Sequence, residues 1–229
     1  MTRDRAASEQ FGASDWADLY RRQDTAARYD RRWRGLRGRL DHAWLERSVL
    51  AALKRLGSGR LPPLVVDAPA GTGRFTAALR RCGVRVLHLD RSPAMLQTLR
   101  RRHGAGLEVI GDLRRPPLAG ADGACVLCLR LLQHLGPAER VEALRGLRRM
   151  APRALVAYYP GWHQKDAARR LRHRLGLPHG TLRPRLSPAD IRSEAAEAGW
   201  RVAGLRRVLP WFSETVLVLL EDPESRPRP

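Results

Sequence analysis

The stretch Val65-Val66-Asp67-Ala68-Pro69-Ala70-Gly71-Thr72-Gly73-Arg74-Phe75 constrains this chain more than any other. Leu64, Val65 and Val66 form a short apolar run of the kind covered on both faces of a sheet. Ala70, Gly71 and Gly73 then strip the next turn of the side chains that would keep a ligand off the backbone. The spacing predicts a helix over about Arg74 to Cys82, whose first amides favour a negative group. Strand, glycine turn and helix in that order point to a layered α/β domain with its ligand at the carboxyl edge of the sheet.

A nicotinamide or flavin fingerprint wants Gly-x-Gly-x-x-Gly/Ala, but here Gly71-x-Gly73 is followed by Thr76 at the third position. Asp67, at the end of the strand, suits a ligand with an ammonium group better than one with a pyrophosphate. A second strand, Val84 to Asp90, ends in an acid about 17 residues beyond Gly73, where a carboxylate can accept from both hydroxyls of a ribose. Ser92 and Pro93 open a helix as N-cap and first residue, with Met95 and Leu96 on its apolar face. Leu107 to Ile110 is a third strand, followed by Gly111-Asp112-Leu113. Asp122 to Leu129 is a fourth, and Arg130 to Leu135 continues it as a loop or short helix. Pro137 to Met150 reads as a helix and Ala154 to Tyr159 as a fifth strand. Ser187-Pro188 caps a further helix to about Gly199. Trp200 to Leu209 and Glu214 to Leu220 are strands close enough for antiparallel pairing.

These segments, in this order, resemble the class I S-adenosylmethionine-dependent methyltransferases, whose first motif has the form acid-x-Gly-x-Gly-x-Gly. Pro69, at the first glycine position, is similar to the Asp-x-Pro-Cys-Gly-Thr-Gly-Arg-Phe variant of the small type 11 group, and Asp90 to Leu96 follow that group's Asp-x-Ser-Pro-x-Met-Leu. The resemblance covers roughly Leu61 to Glu221. It implies a Rossmann-like seven-stranded sheet with the last strand antiparallel, helices on both faces and an N-terminal helical lid. The expected organisation is a lid over residues 1–60, a methyltransferase domain over 61–221 and a disordered tail over 222–229. It also implies S-adenosyl-L-methionine as cofactor, held by Asp67, Ala68, Pro69, Gly71 and Gly73 of the loop and by Asp90, Arg91 and Met95 after the second strand. Asp112 would accept from the adenine amino group, Leu113 would cover the ring, and Cys128 and Leu129 would complete the pocket.

Catalytic candidates are few, because methyl transfer from a sulfonium requires an in-line nucleophile, exclusion of water and sometimes a base. His134 lies just past strand four and can accept a proton near neutral pH. Tyr158 and Tyr159 end strand five at the same edge, and alternation points one toward the site and the other into packing. In the first sixty residues Ser14 to Tyr20 and Leu40 to Leu56 read as helices, and Tyr20 and Tyr29 become substrate-side candidates beside Tyr159. Gly161 to Arg185 is a second candidate substrate wall.

The net charge of +20 admits an acidic partner, nucleic acid or anionic lipid among them. However, all but two of the 43 Lys and Arg residues are arginine, spread over nearly every predicted helix, which is how solvated helix faces read in an arginine-biased chain. The Asn/Asp-Pro-Pro-Tyr/Phe motif of amino-directed DNA methyltransferases is absent after strand four, as is a Pro-Cys nucleophile. Cys125 and Cys128 would face opposite sides of a strand, so no metal site is expected. No apolar run approaches a bilayer span and no signal core is visible, so a cytoplasmic protein is expected. The reading is a methyltransferase acting on an oxygen, nitrogen or carbon of a small-molecule, lipid or natural-product acceptor. An RNA methyltransferase and a catalytically silent cofactor-binding scaffold are the alternatives.

Overall fold

In the computed structural model the described residues are 36–118, 120, 122–159, 164–177, 186–208 and 215–225. Tyr20, Tyr29 and the helix expected from Ser14 lie outside them, as do parts of the expected substrate wall and tail. Seven strands form one sheet: β1 (Leu64–Asp67), β2 (Arg85–Asp90), β3 (Leu107–Ile110), β4 (Cys125–Cys128), β5 (Arg153–Tyr158), β6 (Arg201–Arg207) and β7 (Val216–Glu221). Their order is β3-β2-β1-β4-β5-β7-β6. Strands β1 to β5 pair in parallel, and β7 runs antiparallel between β5 and β6. The order reverses between β1 and β4, and a crevice opens there at the carboxyl ends.

Alternation along the central strands feeds two cores. Val66, Val126, Cys128, Val156 and Val218 face one side, where they meet helices α4 (Pro137–Met150) and α6 (Pro188–Glu197). Val65, Cys125, Leu127, Leu155 and Leu217 face the other, under α1 (Leu36–Leu56) and α2 (Thr76–Arg81). Cys125 and Cys128 are thus buried on opposite faces, as the spacing predicts. Helix α3 (Pro93–His103) packs Leu96 and Leu99 on Ala70 of the glycine loop, and Ser92 caps it by accepting from the Met95 amide at 3.3 Å. Helix α5 (Gln164–Arg174) follows β5.

Three expectations change. Helix α2 starts at Thr76, two residues late, because Gly71 and Gly73 hold φ of 55° and 74° and carry the turn as far as Phe75. Of the apolar residues assigned to the N-terminal helix, Leu45, Val49, Leu53 and Leu56 are buried, while Leu40 and Trp44 are exposed. At about 100° per residue those two sit roughly a quarter turn or more away from the buried stripe. Tyr158 points into the core and not into the crevice. Its hydroxyl donates to Glu194 Oε2 at 3.0 Å, in a buried cluster where the Arg140 guanidinium also meets Glu194 and donates to the Leu135 carbonyl at 2.7 Å. Burial first, and then Glu194, raise the Tyr158 hydroxyl above its ordinary pKa.

Gly146, midway along α4, lets that helix touch the loop after β3. A Cβ there would collide with the Leu113 carbonyl oxygen and lie 2.9 Å from Arg114 Cα. Alanine is worth about 1 kcal/mol over glycine in an open helix, but Gly146→Ala is expected to lower stability by about 1–3 kcal/mol because the backbone must move apart. A thermal melt checks this, and a raised midpoint would contradict the close approach.

Candidate functional site

The crevice over β1, β2 and β4 is walled by the ends of those strands and the loops that follow them. Asp67 and Asp90, the acids ending β1 and β2, both line it and are 3% and 8% exposed, so each is a carboxylate with little water of its own. Burial, and then the neighbouring Asp90 charge, push the Asp67 carboxyl well above the usual range. Oxygen Oδ2 of Asp67 is buried and has no hydrogen-bond partner among the described residues. A buried acceptor of this kind is costly unless a ligand supplies the donor.

Asp90 is held differently. Its Oδ2 accepts from the Gly71 amide at 2.7 Å and its Oδ1 from the Ser92 amide at 2.8 Å. Burial raises its pKa, while those amides pull the other way. The amide bonds fix the carboxylate across the mouth of the glycine loop, where it can still accept from a ligand hydroxyl. At Gly71 a Cβ would meet only open space, so the loop is bare on its cavity side. An acceptor without a donor at one end, a clamped carboxylate in the middle and a bare loop between them fit an ammonium-bearing nucleoside.

Of the other expected cofactor residues, Pro69, Arg91, Met95, Asp112, Leu113 and Leu129 line the cavity. Ala68, Gly73 and Cys128 do not: Ala68 and Cys128 are fully buried in the sheet core, and burial pushes the Cys128 thiol up to about 12. Gly73 serves packing, since a Cβ there would come within 3.0 Å of Thr76, His103 and Leu99. Asp112 is already engaged with arginine. Its carboxylate accepts from the Arg114 amide at 3.0 Å and from Arg114 Nη2 at 2.8 Å, with Arg91 Nη1 at 3.6 Å. Burial raises the Asp112 pKa, but these partners outweigh it and the net shift is downward. Any adenine amino group would share that carboxylate with two guanidinium groups.

His134 lines the cavity from the 3₁₀ turn Leu132–His134 after β4. Tyr158 and Tyr159 do not line it, and Tyr159 packs against the core under α1. Four charged lining residues were not singled out from the sequence: Arg74, Arg114, Arg130 and Glu139. Arg74 lies within the glycine motif and could have been found there. Its Nε donates to His42 Nδ1 of α1 at 3.0 Å, a ring kept neutral first by burial and then by Arg74 itself. Glu139 stands three residues after Gly136 at the start of α4, the position from which a glutamate reaches back, and it accepts the Gly136 amide at 2.8 Å. Arg114 and Arg130 carry no local signal in a chain so rich in arginine.

Among the described residues, no cluster of His, Cys, Asp and Glu could hold a metal ion, and no helix is long and apolar enough to cross a membrane.

Residues 65–152 match the family model of the methyltransferase domain. A malonyl-[acyl-carrier protein] O-methyltransferase of Serratia marcescens is 37% identical over 90 residues, 39% of this chain and 34% of that protein. The match therefore spans about a third of the relative's length. Among solved structures, a magnesium protoporphyrin IX methyltransferase from Synechocystis PCC 6803 with bound SAH superposes with a TM-score of 0.70 at 19% identity, over 91% of this chain and 98% of that one. An O-methyltransferase from neocarzinostatin biosynthesis, in complex with S-adenosylmethionine and 2-hydroxy-5-methyl naphthoic acid, superposes at 0.65 with 21% identity, over 93% of this chain and 62% of that one.

Proposed function

We propose that this chain, a class I S-adenosylmethionine-dependent methyltransferase in fold and in its matched segment, transfers a methyl group to an oxygen atom of a small acceptor. The observation that carries the reading is the partnerless, buried Asp67 Oδ2 beside the amide-clamped Asp90 at the switch point of the sheet. In this reading Asp67 accepts from the ammonium of the methionine moiety, Asp90 from the ribose hydroxyls, and Met95 and Leu113 cover the adenine. The cofactor supplies an electrophilic methyl group when bound. The chain then has to position the acceptor in line and exclude water, and apolar Leu129, Leu131 and Leu135 at the other side of the cavity suit that task.

Oxygen is favoured over nitrogen and carbon because the Serratia relative and the neocarzinostatin-pathway neighbour are both named as O-methyltransferases. The test is calorimetric titration with S-adenosylmethionine and S-adenosylhomocysteine, with NAD as control, followed by separate incubations of labelled cofactor with a small-molecule cell extract and with total RNA. The expected result is one saturable site for the two sulfur compounds alone, and label in an extractable small molecule. Label in RNA only, or cofactor binding without any transfer, would overturn the reading in favour of its RNA or silent-scaffold alternative.

A further inference from the structure

A helix packed on a sheet turns its leucines inward and its arginines to water. Helix α5 is built the other way round. Leu171 is 57% exposed and Leu175 is 63% exposed. The Leu175 amide bonds the Leu171 carbonyl at 3.0 Å, so the two stand one turn apart on the same side. Ala167 and Ala168, one turn earlier, are exposed as well. Arg169, Arg170 and His173 lie about 100° or more around the helix from Leu171. These three are the partly buried ones, and each already has an interaction. None of the leucines of α5 belongs to an apolar core of the domain.

The end of the helix is well formed. Gly176 holds φ of 66°, the Leu177 amide returns to the Arg172 carbonyl at 2.9 Å, and the Gly176 amide to that of His173 at 3.1 Å. That pair of bonds closes a helix through a left-handed glycine. It pins Leu177, 47% exposed, to the last turn. One exposed leucine is ordinary, whereas three held at one helix end mark a contact surface. Arg172 and Arg174 are exposed and flank Leu171 at about 100° on one side and 60° on the other. Along Gln164–Leu177 five Lys and Arg residues stand against one acid, Asp166.

We propose that α5 docks the chain on an anionic membrane surface, with its leucines in the acyl boundary and Arg172 and Arg174 at the phosphate headgroups. A basic helix with an apolar stripe fits such an interface, and the long arginine stems span the step from apolar boundary to headgroup. A second copy fits poorly, because it would bring the flanking arginines of two chains, each of net charge +20, against one another. A folded acidic protein would need a groove for leucines raised on one convex helix and carboxylates on both sides of it. A bilayer supplies the apolar phase and the negative charge together. Strand β5 runs parallel to β4 and ends at the edge where the cavity opens, and α5 starts five residues past Tyr159. Five residues span at most about 20 Å, so docking holds that edge close to the lipid. The inference stands apart from the methyl-transfer reading.

The experiment is flotation of the full chain with vesicles of phosphatidylcholine alone and of phosphatidylcholine mixed with phosphatidylglycerol, in about 0.1 M salt. The expected result is co-flotation with the mixed vesicles only. Leu171→Gln combined with Leu175→Gln should weaken binding about tenfold or more, and Arg172→Gln combined with Arg174→Gln about fivefold per arginine. Both pairs should melt like the parent, because all four side chains are exposed. The leucine pair keeps every charge. Its binding as tightly as the parent would reduce the effect to adsorption by net charge and overturn the proposal. No flotation with the mixed vesicles would overturn it too. A leucine pair that melts lower than the parent would mean that another segment of the chain covers α5. A dimer in vesicle-free sedimentation that the leucine pair abolishes would assign the surface to a second copy. Either result would likewise overturn membrane docking.

Discussion

Asp90→Ala and Gly71→Arg are each expected to abolish measurable binding of S-adenosylmethionine while the protein stays folded. In the proposed site Asp90 would offer the ribose two charge-assisted hydrogen bonds, each worth about 1.5–3 kcal/mol. Their joint loss corresponds to roughly a hundredfold to ten-thousandfold in affinity. The same carboxylate also holds the Gly71 and Ser92 amides, so its removal loosens the glycine loop at the point where the ligand must lie on it. Gly71→Arg acts by a different route. The position lines the cavity and has open space where a side chain would start, so the arginine occupies ligand volume and adds a cation where an ammonium is expected. Because the two changes share no mechanism except the ligand's position, calorimetry showing ordinary affinity in both would remove the cofactor site from this crevice. Circular dichroism should show both variants folded, since neither residue packs in the apolar cores.

Asp67→Asn should have effects of opposite sign on stability and on binding. The buried carboxyl, whose Oδ2 has no partner among the described residues, binds its proton more tightly in the folded protein than in the unfolded chain, first because of burial and then because of Asp90. The unfolded chain therefore ionises first as pH rises. Between the ordinary carboxyl pKa of about 3.8 and the raised folded value, the folded state holds the extra proton and loses stability with each pH step. Asparagine removes that penalty, so the cofactor-free variant should melt higher than the parent near neutral pH. Each kcal/mol recovered is worth about 2–4 °C in a chain of this size. The gain should fade below about pH 4, where both forms of the parent are protonated. In return, the amide cannot match a carboxylate against an ammonium, and affinity should fall about tenfold to a hundredfold. Paired thermal melts with and without S-adenosylmethionine check both halves. A variant that melts lower without cofactor and binds normally would return Asp67 to a structural role.

The sheet was legible because its strands announce themselves locally. Leu64 to Asp67 and Leu107 to Ile110 are short apolar or alternating runs bounded by glycine or proline, and Pro137–Met150 carries its own start signal and apolar period. The position of β7 between β5 and β6 has no local signature, and the resemblance to a known family carried only the antiparallel direction of the last strand. At the site, Asp67 and Asp90 could be read because each ends a strand at a fixed distance from the glycines. What surrounds Asp112 could not, since the Arg114 fork depends on how the turn after β3 closes. Tyr158 misled for a related reason. Strand alternation gives the face of a residue but not its partner, and Glu194 lies 36 residues further along the chain.

The two cysteines of β4 sit one on each face of the sheet, 1% and 0% exposed, with both thiols pushed up to about 12 by burial, while Cys82 lies exposed on the surface. Since the thiolate is the species that reacts, neither strand thiol can be labelled until its own layer of helices lifts away. The chain thus carries a native set of clocks: Cys82 times the reagent, Cys125 the opening of the layer under α1, and Cys128 the opening of the layer under α4 and α6. Equal labelling rates at Cys125 and Cys128 would mean that the two layers part together. A faster Cys125 would mean that the N-terminal helix can leave while the rest of the domain stays shut.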